Sequence, residues 1–305
     1  MTTRSMLNQF FTVLGLCLLL FAASVGAQER LRPFVLASSG PGNFDDRVAE
    51  VSSQLALAGY EVLGEYRPYD GAAVVIITSP SLQTVALAND QGGFAATLRV
   101  AVTAVDDEIQ VSYVNPAYLA DAYRLDHDLA EQQSTLADTL GAIEDFGSKR
   151  GLKPRSLRRY HYMMGMEYFT DPYELGSFEN AEAAIAAVDK GLANNQDGLS
   201  QVYRLAIPDS DIVVYGVAML PDGEDNKAFN DAYQMSIVDF QSPRSTAYLP
   251  YEIVINGGEV TALHMRFRMA VHFPDLSMMG KHSFMTLMSS PNAIRKALEG
   301  VVRSD

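Results

Sequence analysis

The densest chemistry in the chain lies in one late segment, His264-Met265-Arg266-Phe267-Arg268-Met269-Ala270-Val271-His272. Met278, Met279, His282, Met285 and Met288 follow it, and His161-Tyr162-Met163-Met164-Gly165-Met166 forms a second concentration. Thioether sulfur and imidazole suit Cu(I), and Met with His also ligates haem iron. Strand periodicity weighs against a metal. Read as the second arm of a hairpin, the segment puts Met265, Phe267, Met269, Val271 and Phe273 on one face and His264, Arg266, Arg268, Ala270 and His272 on the other. Methionines alternating with aromatics are core filler. The opposite face is the better candidate. His264, Arg266, Arg268 and His272 make a basic row able to hold a carboxylate, a phosphate or an acidic partner surface. Glu252 on the paired strand is a candidate partner whether the row is structural or binds a ligand.

Tyrosines supply a second set. Tyr160, Tyr162 and Tyr168 share a face of an expected strand over 160–169, while Tyr113, Tyr118 and Tyr123 surround Asn115-Pro116. Phenol rows line pockets or seal domain boundaries, so Tyr113 and Asn115 join the ligand-binding candidates. The sequence holds no G-x-S-x-G elbow and no H-E-x-x-H. Gly92-Gly93 and Gly257-Gly258 read as turns, and Asp106-Asp107-Glu108 as a solvated hairpin tip. No catalytic residue, metal ligand or cofactor is assigned. An exported, non-enzymatic binding or interaction protein is the leading reading. A copper or haem protein is the first alternative, and a hydrolase or isomerase with an unrecognised site the second.

Composition narrows the partners. The 305 residues are 48% hydrophobic and 20% charged, with a formal net charge of −14. Nucleic-acid phosphates need Lys and Arg, so an acidic chain argues against them. Arg4, an apolar run over 10–23 and the small-residue exit Val25-Gly26-Ala27 read as a secretory signal cleaved after Ala27. That implies export to a periplasm, with no stable membrane span after cleavage; retention as an anchor is the alternative. The single cysteine, Cys17, falls inside this run, so the mature chain would have no disulfide and no thiolate site.

The elements that must position these residues come in two passes. The first runs strand 34–38, a helix capped by Asn43, strands 61–67 and 73–78, a short helix 80–89, a hairpin 97–104 and 109–114, and a long helix 129–146. A basic linker over 148–158 follows. The second runs strand 160–169, a helix capped by Asn180, strands 202–207 and 212–219, a helix 226–238, a hairpin 247–255 and 260–273 across Asn256-Gly257-Gly258, and a closing helix 291–302. The fold class is therefore α+β: two tandem β-α-β4-α units, each a mainly antiparallel sheet with helices on one face. The organisation is a signal at 1–27, a first domain at 28–147, the linker, and a second, diverged domain at 159–305.

Val111-Ser112-Tyr113-Val114-Asn115-Pro116-Ala117-Tyr118-Leu119, with the earlier strand ending in Ser79-Pro80, resembles the domain of unknown function 302 family over about residues 33–146. The resemblance implies a TATA-binding-protein-like topology and no established chemistry. Members of that family can pair, so a tandem copy would make an intramolecular dimer.

Overall fold

In the computed structural model the structure describes residues 30–194 and 198–303; the expected signal segment at 1–27 lies outside them. From Leu31 onward the chain forms a single unit, built on two sheets.

Local signals start the helices. Asn43 accepts from the Asp46 amide at 3.0 Å and opens α1 (Phe44–Leu57), and Asn180 accepts from the Ala183 amide to open the corresponding helix of the second half. Each satisfies an amide that the first turn leaves unbonded. In the first half, strands β1 (Phe34–Gly40), β2 (Glu61–Tyr66), β3 (Ala72–Thr78), β4 (Leu98–Val105), β5 (Glu108–Val114) and β6 (Glu144–Phe146) pair in the order β2-β3-β4-β5-β1-β6. With them run α2 (Pro80–Leu87), α3 (Pro116–Ala122) and α4 (Ala130–Leu140), and α5 (Pro154–Leu157) follows. In the second half, β7 (Tyr173–Ser177), α6 (Ala181–Ala193), β8 (Leu199–Ala206), β9 (Ile212–Met219), α7 (Asp231–Val238), β10 (Tyr251–Asn256), β11 (Glu259–Ala262), α8 (Met265–His272) and α9 (Ser290–Arg303) give the sheet β7-β11-β10-β9-β8. Every pairing is antiparallel.

The fold is α+β, and the halves match strand for strand once β6 is set aside. Their irregularities match too. The β2–β3 register slips between Val62 and Gly64, and the β8–β9 register between Gln201 and Tyr203. The first strand of each half also slips against the last, between Leu36 and Ser38 and between Val260 and Thr261. Bulges bend a strand at a defined residue, so shared bulges mean shared curvature. Helices α1 and α4 pack together on the first sheet, and α6 and α9 on the second. The remaining faces turn toward each other, which explains why β3 is buried at every position.

Four expectations need correction. Residues 265–272 are a helix, so the basic row and the methionines do not alternate across a sheet. No strand forms over 160–169; the first strand of the second half is β7. The helix expected over 129–146 ends at Leu140, because Gly141 turns with φ +98° and the chain continues into β6. Finally, 148–158 packs closely: Leu152 bridges to Leu31, and Arg158 donates to the carbonyls of Leu125 and Arg124.

Candidate anion site at the junction of the two halves

Strand register gives each residue of one half its counterpart in the other. Gly64 faces Ile76, which faces Arg99; Tyr203 faces Gly216, which faces Glu252. Arg99 and Glu252 are therefore equivalent positions, and they meet: Arg99 Nη1 donates to Glu252 Oε2 at 3.1 Å, with both side chains 1–2% exposed. Contact between equivalent residues is the mark of a two-fold arrangement. Gly64 obeys it too, since a Cβ there would lie 2.7 Å from the Val202 carbonyl beside its own counterpart Tyr203. Around the pair, Arg99 Nε donates to the Ala247 carbonyl at 3.0 Å, and the Thr97 and Tyr203 hydroxyls donate to Glu252 Oε1 at 3.0 and 2.7 Å.

Register continues into the helices. Ser112 faces Ala101 as Thr261 faces Val254, which aligns Asn115, the cap of α3, with His264, the cap of α8. Asn115 Oδ1 accepts from the Ala117 amide at 3.1 Å, and His264 Nδ1 from the Arg266 amide at 3.2 Å. Arg268 and His272 of α8 thus correspond to Leu119 and Tyr123 of α3. The two helices meet, with the Tyr118 hydroxyl donating to the Val271 carbonyl at 2.5 Å and the Tyr123 and His272 rings 6.5 Å apart.

Arg268 is the unusual group. It is 1% exposed and, among the described residues, forms no ion pair. Its guanidinium lies between the rings of Tyr248 and Tyr251, at 4.0 and 4.5 Å from their centroids. Its Nη2 donates to the carbonyls of Tyr248 and, at 2.6 Å, Pro250. Stacking on two phenols contributes about 2 kcal/mol when desolvated, against a cost of several kcal/mol for a buried charge. Its Nε and Nη1 have no hydrogen-bond partner, and neither do Arg99 Nη2, the Tyr123 and Tyr248 hydroxyls or His272 Nε2. Buried polar groups are bonded in the great majority of cases, so six such atoms in one cluster make it the candidate site.

The cluster behaves electrostatically as one body. Burial, followed by the charges of Arg99 and Arg268, pushes the His272 imidazole well below its usual range. Its Nδ1 lies 2.8 Å from the Arg268 carbonyl, which assigns the proton to Nδ1 and leaves Nε2 as an acceptor. Burial raises the Tyr123 and Tyr248 hydroxyls, opposed by the arginine charges and by the close approach of Arg99 to the Tyr123 hydroxyl and of Arg268 to that of Tyr248. Both phenols are therefore protonated donors.

The six sequence candidates separate. Arg268 and His272 enter this cluster. His264 and Arg266 instead share Glu167 outside it, at 3.2 and 2.9 Å; burial, with Arg266 beside it, pushes His264 down to about 4. Tyr113 donates to the Gly141 carbonyl at 3.3 Å, and Asn115 is spent on its cap and on Asp145. Glu252 pairs with Arg99, not with the basic row. Arg99 and Tyr248 were missed. Arg99 had a signal: it is the lone charge in the otherwise apolar or hydroxyl-bearing Leu98–Val105.

Elsewhere, Met265 and Met269 are core residues, and no group of three His, Cys, Asp or Glu side chains is placed to hold a metal among the described residues. A surface recess of about 280 Å³ beside Tyr60, Ser79, Ser81, Glu131, Gln132 and Thr135 contains none of the candidates. No helix among the described residues is long and apolar enough to cross a membrane. No family model, curated protein or solved structure matches the chain.

Proposed function

We propose that this is an exported, non-enzymatic binding protein that holds a small anion where its two halves meet. One observation carries the reading: a buried Arg268 guanidinium that, among the described residues, has no carboxylate partner and leaves two of its three nitrogens unbonded. Arg99 Nη2 and the Tyr123 and Tyr248 hydroxyls add further groups without a full hydrogen bond in the same buried cluster. An anion supplies what such a cluster lacks, a counter-charge and hydrogen-bond acceptors. The matched strand order and bulges support tandem copies of one ancestral unit, with the resemblance to the domain of unknown function 302 family as its source. Export to a periplasm rests on the residues before Gln28. Thermal unfolding of the purified chain in chloride, nitrate, formate, acetate, phosphate and sulfate tests the site. At least one anion is expected to raise Tm with the logarithm of its concentration, and Arg268→Met to abolish that response. No response to any of them ends the reading.

A copper-binding reading has its own observation. The Tyr162 and Phe284 rings, 4.5 Å apart, hold the two methionine-rich loops together, and both ring nitrogens of His161 lack a hydrogen-bond partner. Titration with Cu(I) against a chelator of known affinity decides it, and the absence of competition rules it out.

A further inference from the structure

Resting on the anion site just proposed, the charge, the geometry and the closure of the cluster narrow the ligand. We infer that the bound species is a compact monovalent anion of the halide class, held by Arg268, Arg99, Tyr123 and Tyr248, and not a carboxylate or a phosphate.

Charge sets the valence. Two arginines, always cationic, face one paired carboxylate, Glu252. The other acid whose field reaches Arg268 is Asp231. Its Oδ2 already accepts from the Tyr66 hydroxyl at 2.6 Å and from the Met219 amide at 3.1 Å, and burial raises its pKa to about 7. Near neutral pH Asp231 is about half ionised, so the cluster carries an excess of at most about one positive charge, which a monovalent anion neutralises and a divalent one overshoots.

Geometry sets the shape. A guanidinium grips a planar carboxylate or a phosphate along an edge, using two parallel N–H groups. Both gripping edges, Nε with Nη2 and Nη1 with Nη2, run through Nη2. In Arg268 that nitrogen is spent on the Tyr248 and Pro250 carbonyls. In Arg99 the situation is complementary: Nη2 is free, but Nε is bonded to Ala247 and Nη1 to Glu252. Arg268 offers no complete edge, and the one edge left to Arg99 shares its Nη1 with Glu252. What remains is single N–H and O–H donors from separate residues, a pattern that a spherical acceptor satisfies without preferred directions.

Closure sets the size. Arg99, Arg268, His272, Tyr123 and Tyr248 are each 1% exposed, so the ligand is enclosed by the two halves. His272 Nε2 presents a lone pair, which would repel an anion, so the imidazole bounds the site.

The test uses the full chain in HEPES with sodium sulfate balancing ionic strength. Chloride, bromide and iodide are expected to raise Tm in a saturable way, while formate, acetate and phosphate at equal ionic strength do not. Bromide-soaked crystals are expected to give one anomalous peak between Arg99 and Arg268. Tyr123→Phe and Tyr248→Phe remove only hydroxyls, so their folding can be confirmed by circular dichroism. Each is expected to weaken halide affinity about tenfold. If formate, acetate or phosphate stabilises and halides do not, the halide assignment is overturned and the anion site stands. If no anion acts, both fall. Unchanged halide affinity in both folded tyrosine variants overturns the site itself.

Discussion

Helices α3 and α8 occupy equivalent places in the two halves, each following the strand, β5 or β11, that pairs with the first strand of its half, and each capped by a side chain that accepts an amide. At the same two positions α3 carries Leu119 and Tyr123, and α8 carries Arg268 and His272. The strands differ in the same sense, with Arg99 on β4 matched by Glu252 on β10. One frame thus carries two chemistries. Near the dyad each half supplies what the other lacks, a cation against an anion and a phenol against an imidazole. A true homodimer would place like against like here, as Arg99 against Arg99. Joining two copies in one chain frees each half to diverge at the contact, and an asymmetric polar site can form on a nearly symmetric frame.

Arg99 and Arg268 separate under substitution, because one belongs to a buried ion pair and the other, among the described residues, does not. Arg99→Met leaves Glu252 buried without its cation, and losing one partner of a buried pair costs about 3–5 kcal/mol. Arg268→Met removes a charge that has no carboxylate partner, so in anion-free buffer it is expected to leave stability unchanged or to raise it. Urea unfolding of both variants checks the pair of signs. Equal losses would mean that Arg268 has a counter-charge and that the two arginines play the same role.

Acid–base behaviour gives the next largest effect. Asp231 is held to about 7, chiefly by burial, against an unfolded value near 4. A raised folded pKa means that the folded state keeps a proton the unfolded state has lost. The stabilisation is fully present below about pH 4 and is lost as pH rises through 7, by an amount on the order of a few kcal/mol. Asp231→Asn has no such proton to lose. The wild type is therefore expected to lose stability relative to this variant between pH 4 and pH 7. His264, lowered to about 4, acts with the opposite sign, losing stability as pH falls below 6.5 toward 4, but it is common to both proteins and cancels in the difference. Parallel stability profiles would place the Asp231 carboxylate in contact with solvent.

Legibility in the sequence followed range. The caps at Asn43 and Asn180, the apolar strand Ile212–Met219 and the Asn256-Gly257-Gly258 turn are local signals, and the structure keeps them. The segment 264–273 misled for a physical reason. Alternating Met, Phe and Val reads as period two, yet the helix there is buried at every position except Arg266. A helix buried on nearly all sides shows no apolar stripe, and histidine is not among the usual N-caps. Residues 160–169 have strand-forming composition but spend their aromatics on separate contacts: His161 stacks on Tyr168, Phe169 stacks on Tyr123, and Tyr162 packs at a tilt against Phe284. The cluster at the dyad was not legible because its members come from positions as far apart as Arg99 and His272, and only the meeting of the halves joins them.

The two smallest effects sharpen the comparison from inside and outside the junction. Gly216 and its counterpart Ile76 differ because the Tyr203 ring crosses over Gly216, with a Cβ there falling 2.2 Å from it. Gly216→Ala must displace a ring whose hydroxyl holds Glu252, and overpacking of this kind costs about 1–3 kcal/mol. Arg266→Ala, by contrast, removes a side chain that is 41% exposed and paired with Glu167 at 2.9 Å. Exposed pairs contribute under about 1 kcal/mol, and Glu167 keeps the His264 Nε2 proton at 3.2 Å. Arg266 lies two residues from Arg268 on the same helix, so it controls for charge without touching the cluster. Its loss should leave anion-dependent stabilisation intact, measured as the Tm difference with and without saturating chloride. A response that fell in step with Arg266→Ala would move the site to the outer face of α8, beside Arg266, His264 and Glu167.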